Sequence, residues 1–380
     1  MRIALVHDWL TGMRGGEKCL EALCQIYPQA EIYTLLHNPG SVSREIESKK
    51  IHNSFIQNLP WASKKYQYYL PLFPTAIEQF NLTDFDLVIS SSHCVAKGVL
   101  TRPETCHICY CYTPMRYAWE MYYTYFNSKN RGWLFRHLIP FIMNYLRSWD
   151  ESSSRRVDNF VAISQHVQKR IKKHYRRESE VIYPPVAVES YELSQKSGDY
   201  YLIVSALVPY KRVDLAVEAF NRLGERLLVV GEGPEKKRLQ KIAGKKVEFI
   251  SWQSFENLKN CYYNCKALIF PGEEDFGIVP VEAQACGKPV IAYGRGGVLE
   301  TVVGFYPEED EKPNRERSGV FFKEQTVESL IQAVKLFEKT EFDPHTIRKN
   351  TLKFEAKIFK DKMKTFIAEK FKEHQKNFGL

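Results

Sequence analysis

No apolar run in this 380-residue sequence approaches the roughly 18 residues that a membrane-spanning helix needs. The opening residues, MRIALVHDW, read as a strand rather than a targeting sequence. Internal repeats and low-complexity segments are absent too, so a solenoid or a disordered chain is not indicated. Acids are in short supply. Forty-five Asp and Glu face 54 Lys and Arg, which leaves a net charge of +9. That balance suits an anionic partner: nucleotide phosphates, an anionic membrane or nucleic acid. No nucleic-acid recognition module is visible, which argues against the last. The dinucleotide fingerprint G-x-G-x-x-G is missing, because Gly231-Glu232-Gly233-Pro234 has Lys236 where the third glycine belongs. Zinc-site spacing is missing as well. Cys106, Cys109 and Cys111 alternate with apolar residues as in a strand. The nine cysteines are scattered and read as reduced, cytosolic thiols.

What is present is an ordinary globular composition, 44% hydrophobic and 26% charged, in a chain long enough for two to three domains. One stretch, residues 271–289 (PGEEDFGIVPVEAQACGKP), organises the rest. The run 266–270 (KALIF) before it predicts a buried strand, and 290–293 predicts another. Between them lies an acidic loop and then a helix over 281–286, with Pro280 in its first turn and Gly287–Pro289 ending it. In a parallel sheet such a loop sits at the carboxyl ends of the strands, where ligands bind. Glu274 in the loop and Glu282 in the helix could face one cleft and accept hydrogen bonds from hydroxyl groups. The amides of Phe276, Gly277 and Ile278, ahead of the helix, suit a phosphate. Hydroxyls plus phosphate suggest a sugar nucleotide. Two solvated acids favouring a helix N-terminus would give the same pattern.

Along the chain, strands are predicted at 3–7, 86–91, 107–112, 160–163, 181–183, 201–205, 227–230 and 247–251. Helices are predicted at 17–27, 165–175, 327–338 and 353–372. His7, Asp8, Ser91, Ser92 and His93 fall at strand ends on one edge. Gly15 and Gly16 precede a helix, where backbone amides can approach an anion. Pro184 and Pro185, followed by residues without a period up to Asp199, mark a linker. Two stretches, 61–80 and 131–156, are aromatic and basic. Eleven Lys and Arg stand against three acids between 131 and 177. With Trp133, Phe135 and Phe141 nearby, that reads either as a membrane-surface footprint or as core aromatics beside a solvated charged face.

From Glu274 onward, E-D-F-G-I-V-P-V-E-A-Q-A-C-G-K-P-V-I-A closely resembles the signature of family 4 retaining glycosyltransferases. The likeness extends over nearly the whole chain. It implies an α/β fold of the GT-B type, two Rossmann-like domains facing a central cleft. Residues 1–185 would be the acceptor-side domain and 186–357 the nucleotide-sugar donor domain. A C-terminal helix, about 358–380, would pack back on the first. The reaction implied is hexose transfer with retention. CYTPMRYAWE and SALVPYKRVDLAVEAF look most like bacterial mannosyltransferases of surface polysaccharide assembly, so GDP-mannose is the expected donor, with UDP-hexoses open. The acceptor implied is a glycan or a polyprenyl-diphosphate-linked glycan, on a cytoplasmic enzyme that could sit peripherally at the membrane. A non-catalytic sugar-nucleotide-binding scaffold is the alternative from another class.

The resemblance also assigns residues. Glu274, Tyr112 and Lys211 fall at catalytic positions. Gly15, Gly16, Lys211, Arg212, Gly231, Gly233, Ile250, Trp252, Glu274, Phe276, Gly277, Ile278 and Glu282 line the donor site, with Ile250–Trp252 beside the base. Asp8, Ser92, His93 and Arg116 fall on the acceptor side. No cofactor and no metal are expected, provided cations and amides neutralise the diphosphate. Two positions depart from the family pattern. Tyr112 replaces a histidine that contacts the donor sugar in many relatives, and a phenol is a poor base at neutral pH. Ala206 stands where relatives often carry a phosphate-binding arginine, which leaves Lys211 as a point charge without a bidentate partner.

Overall fold

The computed structural model describes residues 1–126, 133–194, 198–307 and 316–379. Chain contacts divide it into two units. The first is Met1–Pro185 together with the segment from Ala356, and the second is Val186–Glu355.

The first unit holds a seven-stranded sheet. Its strands are β1 (Ile3–His7), β2 (Glu31–Thr34), β3 (Ile51–Asn53), β4 (Leu87–Ser92), β5 (Cys106–Cys111), β6 (Asn159–Ala162) and β7 (Ser179–Val181). They lie in the order β3-β2-β1-β4-β5-β6-β7, and every pairing is parallel. The second unit repeats the plan with β8 (Tyr200–Val204), β9 (Leu227–Val230), β10 (Val247–Ile250), β11 (Cys265–Phe270), β12 (Val290–Tyr293), β13 (Gly304–Phe305) and β14 (Gly319–Phe322). Its order is β10-β9-β8-β11-β12-β14-β13, again parallel throughout. Parallel strands are covered on both faces by crossover helices, so they read as unbroken apolar runs. β1, β4, β5 and β12 are buried along their whole length.

In the middle of each sheet the strand order reverses, between β1 and β4 and between β8 and β11. Loops leaving the carboxyl ends on either side of a reversal diverge and leave a crevice, the usual ligand position in open α/β sheets.

Helix ends follow local chemistry. Ser164, Ser254 and Thr326 each accept a backbone N–H from the first turn of the helix they precede. The last helix, Ala356–Phe378, belongs to the first unit. It buries Phe359, Met363, Phe366 and Ile367, and Phe359 meets the Tyr110 ring edge-on at 5.4 Å. It starts three residues later and ends six later than the predicted 353–372.

One expectation is corrected. The helix of the signature stretch runs Ile278–Ala285, three residues earlier than its sequence suggests. Gly277, at φ +95°, turns the chain straight into it, and Pro280 is its third residue, where a missing N–H is still harmless. The basic aromatic stretch contains the helix Trp133–Ser153. Arg131 lies outside the described residues, as do the side chains of Trp133, Phe135 and Arg136 and residues 308–315 of the charged loop.

Candidate active site

At the reversal of the second sheet, the loop after β8 carries Lys211 and the loop after β11 carries Glu274. The Lys211 ammonium pairs with the Glu274 carboxylate. Both side chains are partly exposed. Glycine lets the loops close on one another. A Cβ on Gly272 would sit 3.0 Å from the Lys211 Cα, and one on Gly297 would sit 2.4 Å from the Asp275 carbonyl oxygen. The Gly297 N–H donates to the Glu274 carbonyl at 2.8 Å, which ties the acidic loop to the turn after β12. Lys211 precedes Arg212, whose φ of +52° and ψ of +34° are sparsely populated for a non-glycine residue. Such a residue, fixed at a ligand-facing loop, is where strain is expected to be held by its surroundings.

The remaining donor-side residues divide. Gly277 and Ile278 form the start of the helix Ile278–Ala285. Phe276 is buried and packs edge-on against Phe354 at 5.3 Å, so its ring is core and only its backbone faces the loop. The Arg212 guanidinium reaches Asp214 and Gln325, each at 3.4 Å, and is turned to its own unit. Gly231 and Gly233 are required by packing. Cβ atoms there would lie 1.9 Å and 2.3 Å from the carbonyl oxygens of Ser205 and Leu207. The Ile250 carbonyl accepts the Gly231 N–H at 3.1 Å. Trp252, for which a core position was open, is 60% exposed at the carboxyl end of β10. Glu282, expected to face one cleft with Glu274, is nearly closed to solvent. It is only 6% exposed, and its Oε2 accepts the Tyr262 hydroxyl at 2.9 Å.

In the first unit the reversal loops carry Asp8 and His93. Asp8 is fully buried. Its two oxygens accept the backbone N–H groups of His93, Cys94, Val95 and Ala96 at 2.7–3.0 Å. The His93 ring lies 3.0 Å away through Nδ1. Burial alone would raise the Asp8 carboxyl, but the His93 ring and the backbone donors overcome it and hold it far below the usual carboxylate range. Burial likewise opposes charge on His93, and the Asp8 carboxylate overcomes it, raising the imidazole. Asp8 is thus a post for the loop after β4, not an acceptor-side contact. Ser92 is corrected in the same way. It is buried, and its hydroxyl accepts the Lys97 N–H at 3.3 Å. His93 keeps 35% of its side chain exposed, beside Trp9 at 4.5 Å between ring centres.

Tyr112 ends a hydrogen-bond chain. Its hydroxyl donates to the Gly16 carbonyl at 2.8 Å, which leaves Ser91 Oγ to donate to Tyr112 at 2.6 Å. His7 Nδ1 then donates to Ser91 at 3.1 Å. Burial, the largest cause, pushes the Tyr112 phenol well above its usual value. A phenol already donating and so hard to ionise is a poor base. What it does is fix the loop at Gly15 and Gly16, the first two residues of the helix Gly15–Ile26. Arg116 is half-buried, and its charge joins His174 and Arg170 in holding the Glu120 carboxyl down against burial. Among the described residues all nine cysteines are free thiols.

Residues 191–354 match the family described as glycosyl transferases group 1. The chain carries a group 1 glycosyltransferase domain. The fold is of the GT-B type. The domain covers most of the second unit and includes Lys211, Glu274 and Glu282. Among curated relatives, the chain is 30% identical over 156 residues to an uncharacterized glycosyltransferase, MJ1178, of Methanocaldococcus jannaschii, covering 39% of this chain and 44% of the relative. It is 30% identical over 159 residues to the O-antigen chain mannosyltransferase RfbU of Salmonella typhimurium, covering 39% and 45%. The match thus spans under half the length of these relatives. In fold, it resembles the structure of Anabaena Alr3699/HepE in complex with UDP at a TM-score of 0.67 and 15% identity, over 97% of this chain and 100% of that one.

Proposed function

We propose that this glycosyltransferase moves a hexose, mannose from GDP-mannose, with retention onto a hydroxyl of a glycan or polyprenyl-diphosphate-linked glycan in polysaccharide assembly. The observation that carries the reading is the Lys211–Glu274 pair on the two loops flanking the reversal of a group 1 domain. The name of RfbU supports the mannosyl part.

Charge develops on the departing diphosphate, so stabilisation belongs there. Lys211 exchanges its carboxylate partner for a phosphate oxygen, and the amides at Gly277 and Ile278 add donors. Glu274, released by that exchange, accepts from sugar hydroxyls and places the anomeric carbon. Glu282, which also accepts the Tyr262 hydroxyl, accepts from ribose hydroxyls. The anomeric C–O bond to phosphate breaks as the acceptor oxygen bonds to the same face, and the acceptor proton passes to the departing phosphate oxygen. No protein base and no cofactor are called for.

The test is turnover of GDP-mannose and UDP-glucose together with thermal stabilisation by GDP and UDP. A ligand at about 100 times its Kd stabilises the state it binds by about 2.7 kcal/mol. Stabilisation by GDP with mannosyl transfer supports the reading. UDP-only stabilisation moves the donor to a UDP-hexose, a second reading supported by the UDP in the HepE structure. Binding without turnover of any donor supports a scaffold instead. Lys211→Ala should lower kcat by about 100-fold or more.

A peripheral position at an anionic membrane, with the enzyme on the cytoplasmic side, is part of the proposal. The first unit exposes Trp61, Tyr68, Phe141 and Tyr145, with Lys64 and Lys65 exposed beside Trp61. Phe141→Ala should weaken co-sedimentation with anionic vesicles without affecting donor hydrolysis.

A further inference from the structure

The amino edge of the first sheet, opposite the site above, gathers three donor atoms from distant parts of the chain. Cys106 opens β5, Asp158 directly precedes β6, and His374 lies four residues from the end of the last helix. One ligand atom of each lies within 4.8 Å of the others. Cys106 and His374 are buried, while Asp158 is open to solvent. We infer that Cys106, Asp158 and His374 bind one divalent transition-metal ion of the zinc class.

Three features favour it. First, His374 has the right nitrogen free. Its Nε2 lies 3.1 Å from the Pro103 carbonyl, which can only accept. The proton therefore sits on Nε2, and Nδ1 presents its lone pair 3.8 Å from Asp158 Oδ2. A ligating histidine held by a backbone carbonyl through its other nitrogen is the usual outer-shell arrangement. Second, the carboxylate is positioned beforehand. Asp158 Oδ2 accepts the His107 N–H at 2.7 Å, and the Asp158 N–H donates to the His107 carbonyl at 2.9 Å. A carboxylate keeps further lone pairs for an ion. Third, thiolate, imidazole and carboxylate together suit zinc-class ions over magnesium or calcium, which prefer all-oxygen shells.

Tetrahedral zinc bonds of about 2.0–2.3 Å require donors closer than they stand, and movements of about 1 Å would close the set. The fourth position opens on a groove of about 330 Å³. Its cations are already engaged. Arg155 pairs with Glu151 at 2.9 Å, Lys370 with Glu373 at 2.8 Å, and Arg177 donates to the carbonyls of Ser154 and Asp158. Thiolate and carboxylate then offset the ion's two charges, and the Cys106 thiol proton goes to solvent. The ion would tie the last helix to the strand edge it packs beside.

The test uses metal-stripped full-length protein titrated with Co2+ alone. The expected result is one equivalent bound, with a thiolate-to-cobalt charge-transfer band. Cys106→Ser should abolish the band. His374→Ala and Asp158→Asn should weaken cobalt binding at least about tenfold. Asp158→Asn keeps an oxygen for the His107 N–H, and circular dichroism checks that each variant folds. Cys109→Ser and Cys111→Ser should leave the band intact. Zn2+ should raise the melting temperature of the parent protein but not of His374→Ala. The inference is overturned if no band forms, if the band survives Cys106→Ser, or if the folded His374→Ala protein binds cobalt as the parent does.

Discussion

Each reversal loop pair is held by one carboxylate, and the two carboxylates differ in what they can spare. Asp8 has both oxygens taken by four backbone donors. Asp8→Ala would leave those donors buried and unpartnered, at a cost of about 3–5 kcal/mol in urea unfolding. Its pH dependence has a definite sign. Unfolded, Asp8 takes up a proton near pH 3.9; folded, it resists to far lower pH. Its stabilisation is complete above about pH 4 and is lost as pH falls through that range. His93 has the opposite sign. Its raised folded value gives stability that is full below about pH 6.5 and is lost as pH rises through that value. In an NMR titration the His93 ring should therefore have a midpoint above the usual imidazole value. Asp8→Asn should lower that midpoint; an unchanged midpoint would mean that the Asp8 charge is not its cause. Glu274 holds a single ammonium and can exchange it. Glu282→Gln keeps an acceptor for Tyr262 and removes the charge. Donor affinity should fall by one to two decades, the loss of a charge-assisted bond worth about 1.5–3 kcal/mol, with the melting temperature little changed.

At the scale of elements, two glycines of the second unit separate kinds of need. Gly224 closes the helix Val213–Leu223 at φ +69° with open space around it. Gly224→Ala should cost about 1 kcal/mol, the left-handed penalty alone. Gly231→Ala brings a methyl to 1.9 Å from the Ser205 carbonyl and must displace a strand end. It should cost several times more in the same unfolding experiment and also weaken nucleotide stabilisation. Equal costs would show that the loop can yield. These elements also show what the sequence makes legible. Buried parallel strands such as 227–230 and 290–293 are unbroken apolar runs, and their predicted ends agree with the structure. The edge strands Ile51–Asn53 and Gly304–Phe305 carry too few residues to show any period. The Lys211–Glu274 pair joins residues that the signature and the basic loop each suggest separately, and only the fold brings them together. The burial of Glu282 and Ser92, and the saturation of Asp8, depend on tertiary neighbours with no local trace.

The molecule as a whole is two copies of one plan, with the chain's last helix returned to the first copy. Phe359, Met363, Phe366 and Ile367 are part of the first unit's packing. Phe359→Ala should cost about 3–5 kcal/mol. Its effect should be confined to the first unit, read as faster amide hydrogen exchange in β5 with that of β11 unchanged. Equal loosening of both strands would show that the units melt as one. The arrangement also bears on synthesis. Domains made on a ribosome usually mature in the order in which they are translated. Here the first sheet is translated before the second, but the helix that covers Tyr110 is translated after the whole second unit. The second unit has all its residues available earlier. The first unit is therefore the later of the two to mature, and until then it presents unburied apolar surface to chaperones and to proteases.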